Sequence, residues 1–282
     1  MKKVVHIVSR LLDGGIEQGV SALMKGGFYD ASDFSIVELV RGQGSIRSAI
    51  VNEIGEDKVT PLIDRREVKI PSTEIMPELI LRMHSVFKAQ KPDTIVLSHS
   101  MATVAARIAA MAHSNIKIVS FEHSVRINAT GADALRFTSW RSDAVFGDSL
   151  ETLRQRECGY FSSKPSYVVP LAILEPSEPR DGHIPETIKV LSLGRLSQEK
   201  NFRELIHAAA LLLREGHKID LTIAGEGSER PLLEQTLREL DAAYPFHEIS
   251  QHIHLPCFVS GALALKKLRD QAHIYVQPSG QS

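Results

Sequence analysis

Residues 188–201 read I-K-V-L-S-L-G-R-L-S-Q-E-K-N. The apolar run at the start of this stretch predicts a buried strand, Gly194 predicts a turn, and a helical pattern follows Asn201. Arg195 and Lys200 therefore stand between the carboxyl end of a strand and the amino end of a helix. Phosphate groups bind at such positions in parallel α/β proteins, because helix N–H groups and cationic side chains meet there.

Strands and helices alternate along the whole chain in the same way. Most of the strands are continuous apolar runs rather than alternating ones, which is typical of parallel sheets covered on both faces. Both halves of the chain are therefore predicted to be open parallel α/β sheets. The predicted strands are 4–8, 34–40, 94–97, 116–121, 144–146, 167–169, 188–193, 219–224, 252–255 and 273–277. The predicted helices are 16–26, 46–54, 77–89, 101–112, 202–214, 229–240 and 262–270.

Composition changes at residues 175–187, which contain three prolines, a glycine and several charges but no apolar run. This segment is predicted to be a linker. It divides the chain into an N-terminal Rossmann-like domain, residues 1–174, and a C-terminal domain, residues 188–282. The second domain is predicted to be incomplete, because it has about four strands and no helix after the last one.

Composition also excludes several classes of function. The 282 residues carry a net charge of −1, so we expect no nucleic-acid partner. Cys158 and Cys257 give no disulfide framework, which favours a reducing compartment and a cytoplasmic location. No apolar run is long enough to span a membrane. A small basic cluster next to two acidic residues could contact the inner face of a membrane, and the alternative is a plain solvated loop. The cluster consists of Arg65, Arg66 and Lys69.

Three glycine-containing loops follow predicted strands. In residues 194–201 the two cations could hold a diphosphate, and the alternative is a solvated loop in which Glu199 pairs with one of them. Gly14 and Gly15 could let the backbone approach an anion, or they could form a plain strand-to-helix turn. The segment Gly225-Glu226-Gly227 could line a ligand pocket or serve only as a tight turn.

Two histidines occupy matching positions after neighbouring predicted strands. His123 could donate to a sugar hydroxyl or a phosphate oxygen, and His99 is the weaker candidate; a structural role is the alternative for both. No metal site is expected, because three other histidines lack a carboxylate or thiol at ligand spacing. These are His247, His252 and His254.

Taken together, the motifs resemble those of the retaining glycosyltransferases of family 4. The matching pieces are G-G-I-E at 14–17, F-E-H at 121–123, S-D-A-V-F-G-D-S at 142–149, G-R-L-S-Q-E-K-N at 194–201 and A-G-E-G at 224–227. The resemblance covers nearly the whole chain. It implies two Rossmann-like domains facing a cleft, the GT-B fold, and transfer of a sugar from a nucleotide-sugar donor with retention of anomeric configuration.

The resemblance also implies roles for individual residues. Arg195 and Lys200 would hold the donor diphosphate, and His123 would orient the transferred sugar. The remaining donor-binding residues would be Gly14, Gly15, Gly225, Glu226, Gly227, Phe258 and Val259, with the last two beside the base. It implies no metal and no cofactor. The acceptor would be a lipid-linked or glycan molecule, in the synthesis of lipopolysaccharide or another surface polysaccharide.

The chain departs from the family pattern in two places. An asparagine-glycine pair is absent at the end of the first domain, where the sequence reads V-V-P-L-A-I. After Q-P-S at 277–279 the family continues with two glutamates that hold the sugar and the ribose, whereas this sequence stops at Ser282. We therefore expect a fragment or a shortened product, with weak or absent transfer and an exposed apolar last strand. The alternatives are a non-catalytic nucleotide-sugar-binding protein and a sugar-phosphate epimerase or phosphorylase of the same fold.

Overall fold

The structure is a computed structural model. It describes residues 1–64, 74–123, 129–156, 163–171, 185–257, 259 and 262–280. The chain divides into two compact units, Met1–Pro176 and Ser177–Ser282, and each is described by itself. Most of the predicted linker 175–187, the basic cluster at 65–69, Cys158 and Phe258 lie outside the described residues.

The first unit contains a parallel sheet with helices on both faces, as predicted from its apolar strands. The order of the strands is β3-β2-β1-β4-β5-β6-β7. The strands are β1 Lys2–Val8, β2 Ser32–Val40, β3 Val59–Ile63, β4 Thr94–Ser98, β5 Lys117–Glu122, β6 Ala144–Gly147 and β7 Ser166–Val168. The helices are α1 Gly15–Lys25, α2 Ser45–Ile54, α3 Met76–Gln90, α4 Ser100–Ala109, α5 Ala129–Thr138 and α6 Leu150–Arg156.

The core of this unit forms on both faces of the sheet, because its central strands are apolar on both sides. One cluster packs β1, β2 and β4 against α3 and α4, where small residues such as Ala102 and Ala106 let α4 lie close to the sheet. A second cluster packs the opposite face against α1 and α2, through Val20 and Ile50. Burial on both faces explains the continuous apolar runs of these strands.

Three elements of the first unit differ from the sequence-based expectation. Strand β3 was not predicted, because Pro61 interrupts its apolar run. The structure tolerates this proline because β3 pairs only with β2 and forms the edge of the sheet. Helices α5 and α6 were not predicted either, since both are short and irregular in their apolar spacing.

The second unit contains a smaller parallel sheet with the strand order β10-β9-β8-β11. Its predicted elements are found with small shifts at their ends. The strands are β8 Ile188–Leu193, β9 Ile219–Ala224, β10 Ile253–His254 and β11 Ile274–Tyr275. The helices are α7 Phe202–Arg214, α8 Arg230–Ala243, α9 Ile249–His252 and α10 Ala262–Gln271.

Strand β11 exposes apolar side chains, as predicted. Ile274 is 48% exposed and Tyr275 is 55% exposed. The strand is held through its backbone, since Val276 N–H donates to the Leu191 carbonyl at 2.9 Å. The Ser192 hydroxyl also donates to the Val276 carbonyl at 2.6 Å.

Each sheet has one point at which its strand order reverses direction. In the first unit this point lies between β1 and β4, and in the second it lies between β8 and β11. Ligands of open α/β sheets bind beyond the carboxyl ends of the strands at such a point. Gly14 lies in the loop after β1 and Ser98 is the last residue of β4, the two strands of the first reversal, and Gly194 follows β8 at the second.

Candidate functional site

The cationic loop, residues 194–201, connects β8 to α7. A short 3-10 turn spans Gln198–Lys200, and α7 begins immediately after Asn201. Arg195 is exposed and Lys200 is half-buried. The lysine stem folds back toward the strand, because a Cβ placed on Gly194 would lie 3.9 Å from Lys200 Cε. Both predicted cations therefore stand at the carboxyl end of β8.

Glu199 does not neutralise the cationic loop by an ion pair. Its carboxylate accepts a hydrogen bond from the Ser197 hydroxyl at 2.6 Å. This hydrogen bond, more than the two nearby cations, lowers the pKa of Glu199. Within the described residues, neither Arg195 nor Lys200 forms an ion pair with a carboxylate. The alternative in which Glu199 pairs with one cation is not what the structure contains.

The amino end of α7 faces the same loop. Asn201 has a left-handed backbone with φ of 55°, and its side chain makes no capping hydrogen bond to the helix. The first N–H groups of α7 are therefore not capped by that side chain. An anion near Lys200 would gain from these N–H groups and from the helix dipole.

The glycines of the segment 225–227 are required by the approach of two loops. A Cβ on Gly225 would lie 1.9 Å from the Gly194 carbonyl oxygen, and one on Gly227 would lie 2.1 Å from the Leu196 carbonyl oxygen. The loops are also joined by Leu196 N–H, which donates to the Glu226 carbonyl at 2.9 Å. These glycines thus hold the cationic loop in place, which is a role distinct from ligand contact and from simple turn formation.

Arg230 is a positioning residue that the sequence did not reveal. Its guanidinium donates to the Gly225 carbonyl at 2.8 Å, to the Leu255 carbonyl at 3.0 Å and to the Pro256 carbonyl at 3.0 Å. It also donates to the Glu226 carboxylate at 3.0 Å. The loops after β9 and β10 are therefore tied together by one side chain. A lone arginine in a helical pattern carries no signal of this role.

Of the predicted base-contacting residues, Phe258 lies outside the described residues. Val259 is half-buried and follows β10. Glu226 is exposed on the loop after β9. Since both loops belong to the carboxyl edge of the same sheet, Val259 and Glu226 share one edge with the cationic loop.

The predicted glycine pair of the first unit opens helix α1. Gly14 is extended, and α1 begins at Gly15. A Cβ on Gly14 would lie 2.4 Å from Glu17 Oε2, so the Glu17 carboxylate folds back over this position. A Cβ on Gly15 would meet no atom within 4 Å. Packing therefore does not require a glycine at position 15.

Neighbouring loops are held around this turn by two carboxylates. Asp13 Oδ1 accepts a hydrogen bond from Ile46 N–H at 3.0 Å and so caps α2. The buried Glu38 carboxylate accepts Leu11 N–H at 3.3 Å, Gly42 N–H at 2.5 Å and Arg47 Nε–H at 2.9 Å. The loops after β1 and β2 are therefore fixed to each other. Glu38 was not predicted, because its role depends on contacts between separate loops.

His123 and His99 lie at the carboxyl ends of the neighbouring strands β5 and β4, as predicted. His123 Nε2 is 2.8 Å from Ser98 Oγ. His99 Nδ1 accepts Ser9 N–H at 3.3 Å, so its other nitrogen carries the proton and faces Glu17 Oε1 at 3.5 Å. Because its backbone has φ of 73°, His99 occupies a strained position that its surroundings must maintain.

A third histidine, His6 on β1, was not predicted to be part of the site. Its Nε2 is 2.8 Å from Ser98 Oγ, and its Nδ1 is 2.7 Å from the Tyr29 hydroxyl oxygen. Burial lowers the pKa of His6 to about 3, the pKa of His123 to about 3 and the pKa of His99 to about 4. All three imidazoles are therefore neutral at physiological pH.

Two further features concern metals and membranes. In the part of the chain that the structure describes, no group of three or more histidine, cysteine or acidic side chains is arranged to hold a metal ion. His252 instead lies 2.9 Å from Asp220, through its Nδ1 atom. None of the described helices is both long enough and apolar enough to cross a membrane.

Several solved structures share the fold of this chain. The chain is similar to Alr3699/HepE from Anabaena, in a complex with UDP and glucose, with a TM-score of 0.73 and 14% identity over 99% of this chain and 74% of that one. It is similar to the lipopolysaccharide outer core galactosyltransferase WaaB, with a TM-score of 0.64 and 18% identity over 96% and 71%. It is also similar to UDP-N-acetylglucosamine 2-epimerase from Rickettsia bellii, with a TM-score of 0.53 and 15% identity over 98% and 73%. At these identities the likeness establishes the α/β fold with parallel sheets.

A narrower similarity concerns the second unit. Residues 176–281 match the family described as glycosyl transferases group 1. The matched region contains the cationic loop and the glycines of 225–227. No curated protein matches the chain by sequence.

Proposed function

We propose that this protein belongs to the glycosyltransferases and moves a sugar from a nucleotide-sugar donor to an acceptor. The observation that carries the proposal is the cationic loop at the reversal point of the second sheet. Among the described residues, neither Arg195 nor Lys200 of this loop forms an ion pair with a carboxylate. The family match of residues 176–281 supports it. So does the fold shared with HepE, whose structure contains UDP and glucose.

In this proposal the cationic loop binds the diphosphate of the donor. When the bond between the sugar and the diphosphate breaks, negative charge accumulates on the departing phosphate. The guanidinium of Arg195, the ammonium of Lys200 and the amino end of α7 stabilise that charge. The scheme uses no metal ion, because the two cationic side chains and the amino end of α7 supply the positive charge. Gly14 and Gly15 bring backbone N–H groups of the first unit toward an anion or sugar.

The finer assignments extend the same proposal. We infer a retaining hexosyltransferase that acts on a lipid-linked or glycan acceptor in lipopolysaccharide or polysaccharide synthesis. The resemblance of the motifs supports retention, and the fold shared with WaaB supports an acceptor of this class. We further infer a cytoplasmic protein with peripheral membrane contact.

Thermal-shift measurements with nucleoside diphosphates and nucleotide sugars test the donor site. Ligand that binds only the folded state raises the melting temperature according to its concentration and affinity. The double variant Arg195→Ala/Lys200→Ala is expected to weaken binding by at least about 100-fold, because two charge-assisted contacts are lost. The matched control is Lys218→Ala/Arg238→Ala, two exposed cations of the same unit that lie away from the cationic loop.

The control variant should keep the full thermal shift. A shift that persists in Arg195→Ala/Lys200→Ala would refute the diphosphate assignment. The same outcome would remove the support for glycosyl transfer, since no other described cations of this unit occupy the equivalent position on the loop after β8.

An epimerase is the second candidate, because the fold is shared with a UDP-N-acetylglucosamine 2-epimerase. The two activities differ in their products. A transferase releases the nucleoside diphosphate only as sugar reaches an acceptor, whereas an epimerase converts the nucleotide sugar without any acceptor. Chromatography of nucleotide sugars incubated with the protein alone separates the two. An isomerised sugar nucleotide would favour the epimerase.

A further inference from the structure

A chain of hydrogen bonds runs through the first unit beneath the carboxyl edge of its sheet. It connects the Tyr29 hydroxyl to His6 Nδ1 at 2.7 Å, His6 Nε2 to Ser98 Oγ at 2.8 Å, and Ser98 Oγ to His123 Nε2 at 2.8 Å. Tyr29 is 6% exposed, and His6 and Ser98 are fully buried. This series of hydrogen bonds therefore runs from the interior to His123 and is shielded from bulk water.

The number of hydrogen atoms shared among Tyr29, His6, Ser98 and His123 is fixed. Burial raises the pKa of Tyr29, which keeps its hydroxyl hydrogen, and both imidazoles are neutral. Each neutral imidazole has one N–H and one acceptor nitrogen, and Ser98 has one O–H. The hydrogen bonds can therefore point in only two consistent directions, either from Tyr29 toward His123 or the reverse.

The two directions differ at Tyr29. If the chain points toward His123, the Tyr29 O–H donates to His6, His6 Nε2–H donates to Ser98, and the Ser98 O–H donates to His123 Nε2. If it points the other way, the Tyr29 hydrogen needs a second acceptor. In the described part of the chain, the Tyr29 hydroxyl has no other hydrogen-bond partner. Among the described residues, the reverse direction thus leaves two buried groups without a partner, the Tyr29 O–H and the His123 Nδ1 acceptor, whereas the direction toward His123 leaves only the His123 Nδ1–H. Each unsatisfied buried group costs free energy, so the direction toward His123 is favoured.

We propose that Tyr29, His6 and Ser98 are positioning residues that hold His123 as its Nδ1–H tautomer. Its Nε2 is committed to Ser98 as an acceptor, so Nδ1–H is the only polar group of the ring left for a ligand. This atom is buried and has no hydrogen-bond partner among the described residues. The orientation of the sugar that the family resemblance implies for His123 would fall to this N–H, and this second step rests on the proposed function.

The assignment restricts what His123 can do. A neutral imidazole that donates through Nδ1 can orient a hydroxyl or phosphate oxygen by a hydrogen bond. It does not act as a general acid in this state, because no imidazolium proton is available to transfer. His123 is therefore assigned to orientation of the sugar carrier rather than to proton transfer.

Nitrogen-15 NMR of the histidine rings tests the tautomer in the protein without any ligand. Long-range nitrogen–proton correlations distinguish the protonated from the unprotonated ring nitrogen. At pH 7.5 we expect a protonated Nδ1 for His123 and a protonated Nε2 for His6, with the His123 signals assigned by their loss in His123→Gln. A protonated Nε2 on His123 would overturn the proposal.

Tyr29→Phe tests whether the chain sets the tautomer. It removes only the hydroxyl and keeps the ring, which stacks on Phe34 with centroids 3.9 Å apart. Without this donor, His123 should lose its preference for Nδ1–H and show a mixture or the Nε2–H form. Ser98→Ala should do the same by breaking the link. Tyr167→Phe, at an exposed tyrosine of the same unit, is the matched control and should change nothing.

If His123 keeps its Nδ1–H form in both Tyr29→Phe and Ser98→Ala, the positioning role is wrong. The ligand step is tested by adding the nucleotide sugar that gives the largest thermal shift. The His123 Nδ1 resonance should then move, and an unchanged resonance in the saturated protein would overturn that step. If no nucleotide sugar produces a thermal shift, the proposed function fails while the tautomer result stands by itself.

Discussion

The carboxyl edges of the two sheets hold opposite kinds of chemistry. At the edge of the first unit, one group of polar side chains is buried, neutral and joined by hydrogen bonds, namely the network of His6, Ser98 and His123. At the edge of the second unit, Arg195 is exposed and Lys200 is half-buried, and both are charged. The same open parallel topology thus supports a preorganised neutral network in one unit and a charged anchor in the other.

The difference separates two ways in which a sheet edge can hold a polar group. Solvated cations attract a diphosphate and can adjust to it, because the long side chains retain rotamer freedom. Buried neutral imidazoles hold fixed directions, because moving them would leave buried polar groups unsatisfied. The two edges therefore differ in rigidity: the first holds its imidazoles in fixed directions, and the second leaves its cations free to adjust.

The largest expected effect is the loss of stability of the first unit in acid. His6, His99 and His123 have lowered pKa values in the folded protein, whereas a histidine of the unfolded chain has its ordinary pKa near 6.5. At pH values below 6.5 the unfolded chain therefore binds more protons than the folded protein. Their stabilisation is fully present above pH 6.5 and falls as pH decreases. Between pH 6.5 and 5 we expect a loss of about 4 kcal/mol for the three together, measured by urea unfolding.

This acid response should be confined to the first unit. His6→Gln should reduce the slope of stability against pH over the same range, because one histidine no longer titrates on unfolding. If the slope of the wild-type protein between pH 6.5 and 5 is flat, the buried neutral network is refuted.

The next effect is expected at the junction of loops in the second unit. Gly225→Ala places a Cβ 1.9 Å from the Gly194 carbonyl oxygen, and that oxygen belongs to the backbone of the cationic loop. We expect a loss of about 3 kcal/mol in the free energy of unfolding, because backbone must shift. Denaturant unfolding followed by circular dichroism measures it. A variant as stable as wild type would show that the cationic loop is not fixed by this contact.

The smallest effect on stability is expected for Gly15→Ala. A Cβ at this position meets no atom within 4 Å, and alanine favours the first turn of α1. The melting temperature should be unchanged or slightly higher, with a gain of at most about 0.5 kcal/mol. Binding of the nucleotide sugar should nevertheless weaken if a ligand approaches this backbone. Unaltered binding would mean that Gly15 has no part in the site.

Much of the fold could be predicted from single elements. Strand β8, helix α7 and strand β9 were predicted with the bounds that the structure gives, because their apolar spacing is regular and glycines or cations mark their ends. Gly216 follows the end of α7 with φ of +87°, a left-handed conformation that glycine adopts readily. Strand β3 could not be predicted, since its proline is acceptable only at a sheet edge.

Parts of the site were visible for the same reason. Arg195 and Lys200 follow a strand in sequence, so their place at its carboxyl end followed from local pattern alone. Glu38, Arg230 and His6 gave no such signal. Each acts through partners from other elements, and a single side chain in an apolar or helical run does not show which loop it will meet.

The sequence by itself determined the alternation of strands and helices, the parallel sheets and the placement of cations and histidines after strands. These features depend on neighbours along the chain, whose spacing fixes which face is apolar. Only the tertiary structure decided the strand order, the contact that makes Gly225 obligatory and the chain from Tyr29 to His123. Those depend on groups distant in sequence, and hydrogen-bond direction in particular is set by how many buried polar groups each direction would leave without a partner.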